Sequence, residues 1–175
     1  TMAEKGLKIL VVDDDDVDRM AVRRALKASG LDATVTEAED AQTALARLSK
    51  EHFDCTLLDY RMPGNDGLDV VRLARDKGIL VPFIMLTGFG DEQTAVELMK
   101  AGAADYIPKS SLTPERLGMS LRGVLRIHQA EIEASRAEGD LRRSAEQLGA
   151  IAQAAIDINS TLAVDAMLQS TTENA

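Results

Sequence analysis

The feature that most constrains the fold is a regular alternation between short apolar runs and longer amphipathic stretches. The runs predict five β-strands, at residues 7–12, 34–36, 55–58, 82–86 and 105–107. Apolar residues at helical spacing follow each run, which predicts helices between the strands. Right-handed crossovers place such helices on both faces of a parallel sheet. The sequence therefore predicts a doubly wound α/β domain with a five-stranded parallel sheet.

Reactive or ionic side chains stand at the ends of four of these strands. They are Asp13 and Asp14 after the first strand, Asp59 after the third, Thr87 after the fourth and Lys109 after the fifth. In an open α/β sheet, ligands bind outside the carboxyl ends of the strands, so we expect these side chains to converge. Three carboxylates about 5 Å apart repel one another by roughly 3 kcal/mol per pair at an effective dielectric constant near 20. A hard cation with oxygen ligands, such as Mg2+, relieves that repulsion.

This set of groups is suited to phosphoryl transfer onto a carboxylate. A metal ion and the ammonium group of Lys109 can neutralise charge on the transferred phosphoryl group. Asp59 stands alone at its strand end and is the expected nucleophile. The adjacent Asp13 and Asp14 are better suited to hold the metal ion.

The loop after the first strand contains three more acids. We expect Asp16 to cap the first helix, because Asp is a preferred residue at that position. Asp15 and Asp18 are expected to be solvated acids near the positive end of the helix rather than ligands.

The overall composition argues against several classes of function. The formal net charge of -9 argues against a nucleic-acid-binding surface, which needs a basic patch. No apolar run approaches the roughly 20 residues of a membrane span, and residues 1–8 lack the apolar core of a signal peptide. We therefore expect a cytoplasmic protein with no membrane partner. The single cysteine, Cys55, cannot form an internal disulfide and is expected to be buried.

Two segments and two single positions resemble a known family. The segments are the Leu-Val-Val-Asp-Asp run at 10–14 and the loop at 58–67, which contains Asp59. The single positions are Thr87 and Lys109. Over residues 7 to about 127, this pattern is similar to the receiver domains of two-component response regulators. The resemblance implies a flavodoxin-like sheet with the strand order 2-1-3-4-5. It also implies that a histidine kinase or a phosphotransfer protein supplies a phosphoryl group to Asp59.

The resemblance further assigns roles to individual residues. It implies that Mg2+ is bound directly by Asp14 and Asp59, mainly through water by Asp13, and by the backbone carbonyl of Arg61. It implies that the Thr87 hydroxyl and Lys109 contact the phosphoryl oxygens, and that Tyr106 swings inward as Thr87 moves. Such a change is a switch that new charge-assisted hydrogen bonds would drive.

Two positions depart from the family pattern. The family's lysine is usually followed by a proline in a cis bond, whereas here Ser110 follows Lys109 and Pro108 precedes it. A cis bond before a residue other than proline costs about 2.5–4 kcal/mol, so the sequence leaves the geometry of this loop open. Arg61 stands where many members have a smaller residue. Its guanidinium could cover or pair with the acidic pocket and so alter the lifetime of the phosphoryl group.

The last predicted helix begins at Pro114, with Thr113 as its cap. No proline follows Pro114, and the helix-favouring composition continues to about Ile158, so we expect the helix to extend that far. Apolar or small residues recur within it every seven positions, at Ile127, Ala134, Leu141, Leu148 and Ala155 and at Ala130, Ala137, Ser144, Ile151 and Ile158. We call these ten residues the seam. The seam predicts a parallel dimeric coiled coil, and hence a homodimer through the C-terminal helix. A lone extended helix, or a helix folded back on its own domain, is the alternative.

The predicted organisation is a receiver domain at 1–127, a coiled-coil signalling helix at 128–158 and the start of a truncated output or sensor domain at 159–175. In the last segment, Ser160 or Thr161 is expected to cap a new helix, and residues 158–162 resemble the beginning of a GAF-type domain. On this interpretation, the chain is a fragment of a histidine kinase or another signalling enzyme. By itself it is not an enzyme, because it catalyses only its own phosphorylation and dephosphorylation.

Two other functions compete with this one. Magnesium-dependent phosphatases of the haloacid dehalogenase type also form an aspartyl phosphate, but their motif has a second Asp two places after the nucleophile, where this chain has Arg61. A pseudo-receiver would bind partners without being phosphorylated, and the intact set of acids argues against it. The leading hypothesis is a phosphorylation switch that signals through a dimeric helical stalk.

Overall fold

The computed structural model of the chain describes residues 6–88 and 92–173. Its elements in chain order are β1 (Leu7–Val12), α1 (Asp16–Ala28), β2 (Ala33–Ala38), α2 (Ala41–Lys50), β3 (Cys55–Asp59), α3 (Gly67–Asp76), β4 (Phe83–Thr87), α4 (Glu92–Lys100), β5 (Asp105–Pro108), a single 3-10 turn (Lys109–Ser111) and α5 (Pro114–Glu173). All five predicted strands are present, and none of their ends differs from the predicted one by more than two residues.

The strands form one parallel sheet with the order β2-β1-β3-β4-β5. This confirms the doubly wound α/β fold and the strand order that the resemblance implies. The direction of the chain across the sheet reverses between β1 and β3, and ligands of such sheets bind outside the carboxyl ends of the strands at this point. Asp13 directly follows β1 and Asp59 ends β3, so both residues lie at that crevice.

Two apolar layers stabilise the sheet, one on each face. Successive side chains of a strand point to opposite faces, so Ile9 and Val11 pack in one layer while Leu10 and Val12 pack in the other. The first layer includes residues of α1 and α5, and the second includes residues of α2 and α3. Every residue of β3 and β4 is buried, as expected for central strands that helices cover on both faces.

Cys55 is a free cysteine at the start of β3 and is fully buried, as predicted. Burial raises the pKa of its thiol to about 12. The thiol therefore stays protonated near neutral pH and packs as a small apolar group.

The helix starts confirm one predicted cap and correct another. Thr113 caps α5 as predicted, because its hydroxyl accepts the backbone N–H three residues later at 3.1 Å. The cap of α1 is Asp15, whose Oδ1 accepts the N–H of Val17 at 2.8 Å, so the prediction for Asp16 was wrong. The helix begins one residue earlier than expected, and Asp16 is its first residue. Asp91, which the sequence suggests as the cap of α4, lies outside the described residues.

Helix α5 does not end near Ile158 as predicted, but continues unbroken to Glu173. Ser160 and Thr161 were expected to cap a new helix. Their hydroxyls instead donate to the carbonyls four residues earlier, at 2.9 and 3.0 Å. Because this bonding leaves the backbone helical, neither residue interrupts α5. The assignment of residues 159–175 to a further domain stays a prediction.

The chain divides into an N-terminal unit, Thr1–His128, and a C-terminal unit, Gln129–Ala175. The C-terminal unit consists of the second part of α5, and no residue between 129 and 172 is buried. Its large apolar side chains are exposed, including Leu141 at 73% and Ile151 at 66%. Within the described ranges, no helix combines the length and the apolar character that crossing a membrane requires.

Candidate functional site

The candidate site lies at the edge of the sheet where the carboxyl ends of the strands meet. Asp13 follows β1, Asp59 and Thr87 are the last residues of β3 and β4, and Lys109 follows β5. These strands are neighbours in the order β1-β3-β4-β5, so the four side chains come from adjacent positions along one edge. The alternation of strands and helices therefore brings together groups that are up to 96 residues apart.

Three carboxylates converge at this edge, as predicted. Asp13, Asp14 and Asp59 each offer an oxygen, and these oxygens lie within 4.8 Å of one another. Asp13 and Asp59 are 0% and 4% exposed, whereas Asp14 is exposed to solvent. The N–H of Asp15 donates to Asp13 Oδ1 at 2.9 Å and helps to fix that carboxylate. Two buried acids and one accessible acid make a donor set that fits a hard divalent cation such as Mg2+.

Lys109 lies among these carboxylates. Its Nζ is 2.8 Å from Asp13 Oδ2 and 3.2 Å from Asp59 Oδ1. It also donates to Asp18 Oδ2 at 2.6 Å, a contact that the sequence analysis did not predict. Asp18 lies in the first turn of α1, and the two residues are 91 positions apart in the chain. No local pattern reveals such a pair, because the bond forms only when the folded sheet brings the carboxyl ends of its strands to one edge.

The charges of the site shift the ionisation of both central groups. Burial raises the pKa of Asp59 to about 6, and the nearby charge of Asp13 adds to this effect, while Lys109 and the N–H of Arg61 oppose it. Burial by itself lowers the pKa of Lys109, but its bonds to Asp13 and Asp18 and the nearby charge of Asp59 outweigh burial, and the pKa is raised. Lys109 therefore remains a cation at physiological pH.

Comparison with known proteins agrees with this geometry. Residues 9–122 match the family described as the response regulator receiver domain. This chain belongs to the response-regulator receiver family. The matched receiver domain lies within the N-terminal unit, and the family function is that of a phosphorylation-switched receiver in two-component signalling.

Named relatives show how far the similarity extends. The two-component response regulator ORR41 of rice is 34% identical over 122 residues, which is 69% of this chain and 95% of that protein. ResD of Bacillus subtilis is 38% identical over 119 residues, which is 68% of this chain and 48% of ResD. PhoP of Pseudomonas aeruginosa is 36% identical over 140 residues and is covered over 61% of its length. The chain thus spans only about half of ResD. The similarity therefore concerns the receiver and not the activity of the complete ResD protein.

Solved structures agree with the family. The structure of FixJ-N superposes with a TM-score of 0.63 at 29% identity and covers 70% of this chain and 95% of that one. The chemotaxis response regulator CheY4 of Vibrio cholerae has a TM-score of 0.61 at 30% identity, with 69% of this chain and 99% of that one covered.

The receiver's other predicted site residues lie around Asp59. Thr87 is buried, and its hydroxyl has no hydrogen-bond partner in the described part of the chain. Tyr106 is partly buried and packs against the core layer that contains Leu10. The N–H of Arg61 donates to Asp59 Oδ1 at 3.3 Å. The inward swing of Tyr106 and metal binding by the carbonyl of Arg61 stay predictions.

The loop after β5 has a defined geometry. No peptide bond in the described ranges is cis, so the bond between Lys109 and Ser110 is trans. The chain instead turns through the single 3-10 turn that begins at Lys109. The lysine therefore reaches the carboxylates without the cis proline that the family usually has.

Gly67, the first residue of α3, lies too close to the end of β3 to be replaced by a residue with a side chain. Its N–H donates to the carbonyl of Tyr60 at 2.7 Å. A Cβ at this position would lie 2.6 Å from the carbonyl oxygen of Asp59 and 2.5 Å from Cε of Met85. A residue with a side chain would therefore displace the backbone that carries Asp59. The sequence predicted a turn here but not this contact.

Proposed function

We propose that Asp59 accepts a phosphoryl group from a phosphohistidine of a histidine kinase or a phosphotransfer protein, with Asp13, Asp14 and Asp59 as the Mg2+ ligands. The supporting observation is the position of Asp59, which is buried beside two further carboxylates and 3.2 Å from the ammonium of Lys109. In the transfer, the P–N bond of the phosphohistidine breaks, a P–O bond forms to a carboxylate oxygen of Asp59, and the imidazole leaves.

Each neighbour then has a defined part in the reaction. Mg2+, when bound, neutralises charge on the phosphoryl oxygens. Lys109, already a cation beside Asp59, pairs with one of those oxygens, and the buried hydroxyl of Thr87 donates to another. On phosphorylation Lys109 thereby changes partners and Thr87 gains one, and the partly buried Tyr106 moves with Thr87. This change is proposed to pass into α5.

Acetyl phosphate with Mg2+ tests the acceptor. We expect the mass of the intact chain to increase by one phosphoryl group, and Asp59→Asn to abolish the increase, because an amide cannot form the acyl phosphate. Asp76→Asn, which changes an exposed carboxylate at the end of α3, is the matched control and should be labelled like the wild type. Unchanged labelling of the Asp59→Asn chain would contradict the proposal that Asp59 is the phosphoryl acceptor.

We also propose that the chain forms a parallel homodimer through the seam. The seam's large side chains are exposed in the C-terminal unit, and burying a Leu or Ile side chain contributes about 1.5–3 kcal/mol. A partner helix with the same repeat would cover them by knobs-into-holes packing. The interface is weakest between Ala130 and Ser144, where alanine and serine fill most of the seam positions.

Light scattering tests the dimer. The full chain should show twice its mass of 18.9 kDa, and residues 1–128 should be monomeric. The double substitution Leu148→Glu and Ile151→Glu should give a monomer, since it places charges in the seam. Ala150→Glu adds a charge outside the seam and should leave the dimer intact. A monomeric wild-type chain would remove the coiled-coil proposal.

A further inference from the structure

Arg19 is a buried arginine of α1 to which neither the sequence nor the proposed chemistry gives a role. It is 6% exposed although it carries a full charge. Its guanidinium has four contacts: Nη1 donates to the backbone carbonyl of Asp13 at 2.8 Å, Nε to Glu37 Oε2 at 3.2 Å, and Nη2 to Asp16 Oδ1 at 3.2 Å and Glu39 Oε1 at 3.5 Å. The charge is thus neutralised by acids at the end of β2 and the start of α1.

The bond to the Asp13 carbonyl is the informative one. That carbonyl belongs to the peptide that joins Asp13 to Asp14, two of the proposed Mg2+ ligands. The carboxylate of Asp13 is fixed separately, by the N–H of Asp15 and by Lys109. Arg19 therefore fixes the backbone of the ligand pair, while other groups fix one of its side chains.

The shape of the guanidinium suits it to this task. Its planar group presents donors in fixed directions, so one arginine can bind three chain segments and fix the distances between them. Here the points are the end of β1, Glu37 in β2 and the first turn of α1. An ammonium group on a flexible chain has no such fixed directions.

We propose that Arg19 is a positioning residue that holds the Asp13–Asp14 peptide in the geometry that Mg2+ binding requires. The inference rests on the proposed Mg2+ site. Groups that hold metal ligands in place typically change metal affinity by roughly 10–100-fold when they are removed.

The direction of the change in Mg2+ affinity separates this role from simple electrostatics. Loss of a nearby positive charge by itself strengthens cation binding, whereas loss of a positioning residue weakens it.

Arg23 provides a matched control on the same helix. Its Nη1 lies 3.1 Å from Glu37 Oε1, so it shares an acidic partner with Arg19, but its side chain is 46% exposed. Arg23→Gln removes the same charge from the same network and leaves the Arg19 bond to Asp13 in place.

Mg2+ titration of the full chain by calorimetry tests the proposal, with thermal unfolding in EDTA as the measure of the fold. We expect the Kd for Mg2+ to rise by roughly tenfold or more in Arg19→Gln, and to stay constant or fall slightly in Arg23→Gln. Arg19→Lys keeps the positive charge beside Glu37 and provides a second test if the Gln variant does not fold. It should also bind Mg2+ more weakly than the wild type.

Each outcome has a distinct meaning. A folded Arg19→Lys or Arg19→Gln chain with wild-type Mg2+ affinity would overturn the positioning role alone. An equal loss of affinity in Arg23→Gln would overturn it as well, because the effect would then belong to the whole ion-pair network. If neither Arg19 variant folds, Arg19 is required by the fold rather than by the site. A wild-type chain that binds no Mg2+ would overturn the proposed Mg2+ site and this inference together.

Discussion

Both units of this chain have regularly spaced apolar side chains, but one unit buries them and the other leaves them exposed. In the N-terminal unit, β1, β3 and β4 place side chains such as Leu10, Leu57 and Ile84 in layers where they are 0% exposed. In the C-terminal unit, Leu141 and Ile151 remain exposed on a single helix. The receiver closes its own core, because its helices and sheet cover one another. The described part of the C-terminal unit is a single helix with no second layer of its own, and the proposed parallel homodimer would cover its seam.

The sharpest way to break this comparison is to truncate one large side chain in each unit. Leu57→Ala should lower the free energy of unfolding of the N-terminal unit by about 2–5 kcal/mol, because it leaves a cavity in a buried strand. Leu141→Ala should leave that free energy unchanged within about 0.5 kcal/mol. Urea unfolding followed by tyrosine fluorescence reports on this unit alone, since both tyrosines, Tyr60 and Tyr106, lie in it. Equal losses would show that the two units unfold as one.

The comparison sharpens inside the receiver, between its apolar core and its acidic edge. Asp59 has a pKa near 6 in the folded chain against an ordinary value of 3.8. A raised folded-state pKa means that this group's stabilisation is fully present below about pH 4 and is lost as the pH rises through 6. In EDTA, the wild type should therefore gain about 2–3 kcal/mol relative to Asp59→Asn as the pH falls across this window.

Thermal or urea unfolding of both chains at several pH values measures this difference. Asp76→Asn again serves as the control, because its carboxylate is exposed and far in sequence from the site. Parallel pH profiles of the wild-type and Asp59→Asn chains would show that ionising the buried Asp59 costs no stability.

The smallest expected effect comes from one substitution made in both units. Gly139→Ala should stabilise the C-terminal helix by about 1 kcal/mol, since alanine is the better helix former and a Cβ there has nothing within 4 Å. Gly67→Ala should instead destabilise the receiver by about 1–3 kcal/mol, because its Cβ would overlap Asp59 and Met85. Circular dichroism melting of the two variants tests the opposite signs. Destabilisation by Gly139→Ala would mean that its position has a close neighbour in solution.

Much of the receiver could be predicted from the sequence because its signals are local. Strand runs, turn residues and acids at strand ends depend on neighbouring residues, and together they predict that Asp13, Asp14, Asp59 and Lys109 form one cluster. The contacts of Asp18 and Arg19 could not be predicted in this way, because each depends on which elements become neighbours in the sheet. The predicted end of α5 was wrong for a different reason. A serine or threonine hydroxyl can cap a new helix or bond back within the old one, and the sequence does not distinguish these outcomes.

The strand order also gives the two sides of the site unequal backbone support. Strand β3 is hydrogen-bonded to β1 on one side and to β4 on the other, whereas β5 pairs with β4 alone among the strands of the described ranges. Asp59 therefore stands on an anchored strand, and Lys109 directly follows the strand with one free edge. A displacement at Asp59 would break two ladders, while one at β5 would disturb a single ladder. Displacement of the strand that carries Tyr106 is therefore opposed by fewer backbone hydrogen bonds than displacement of the strand that carries Asp59.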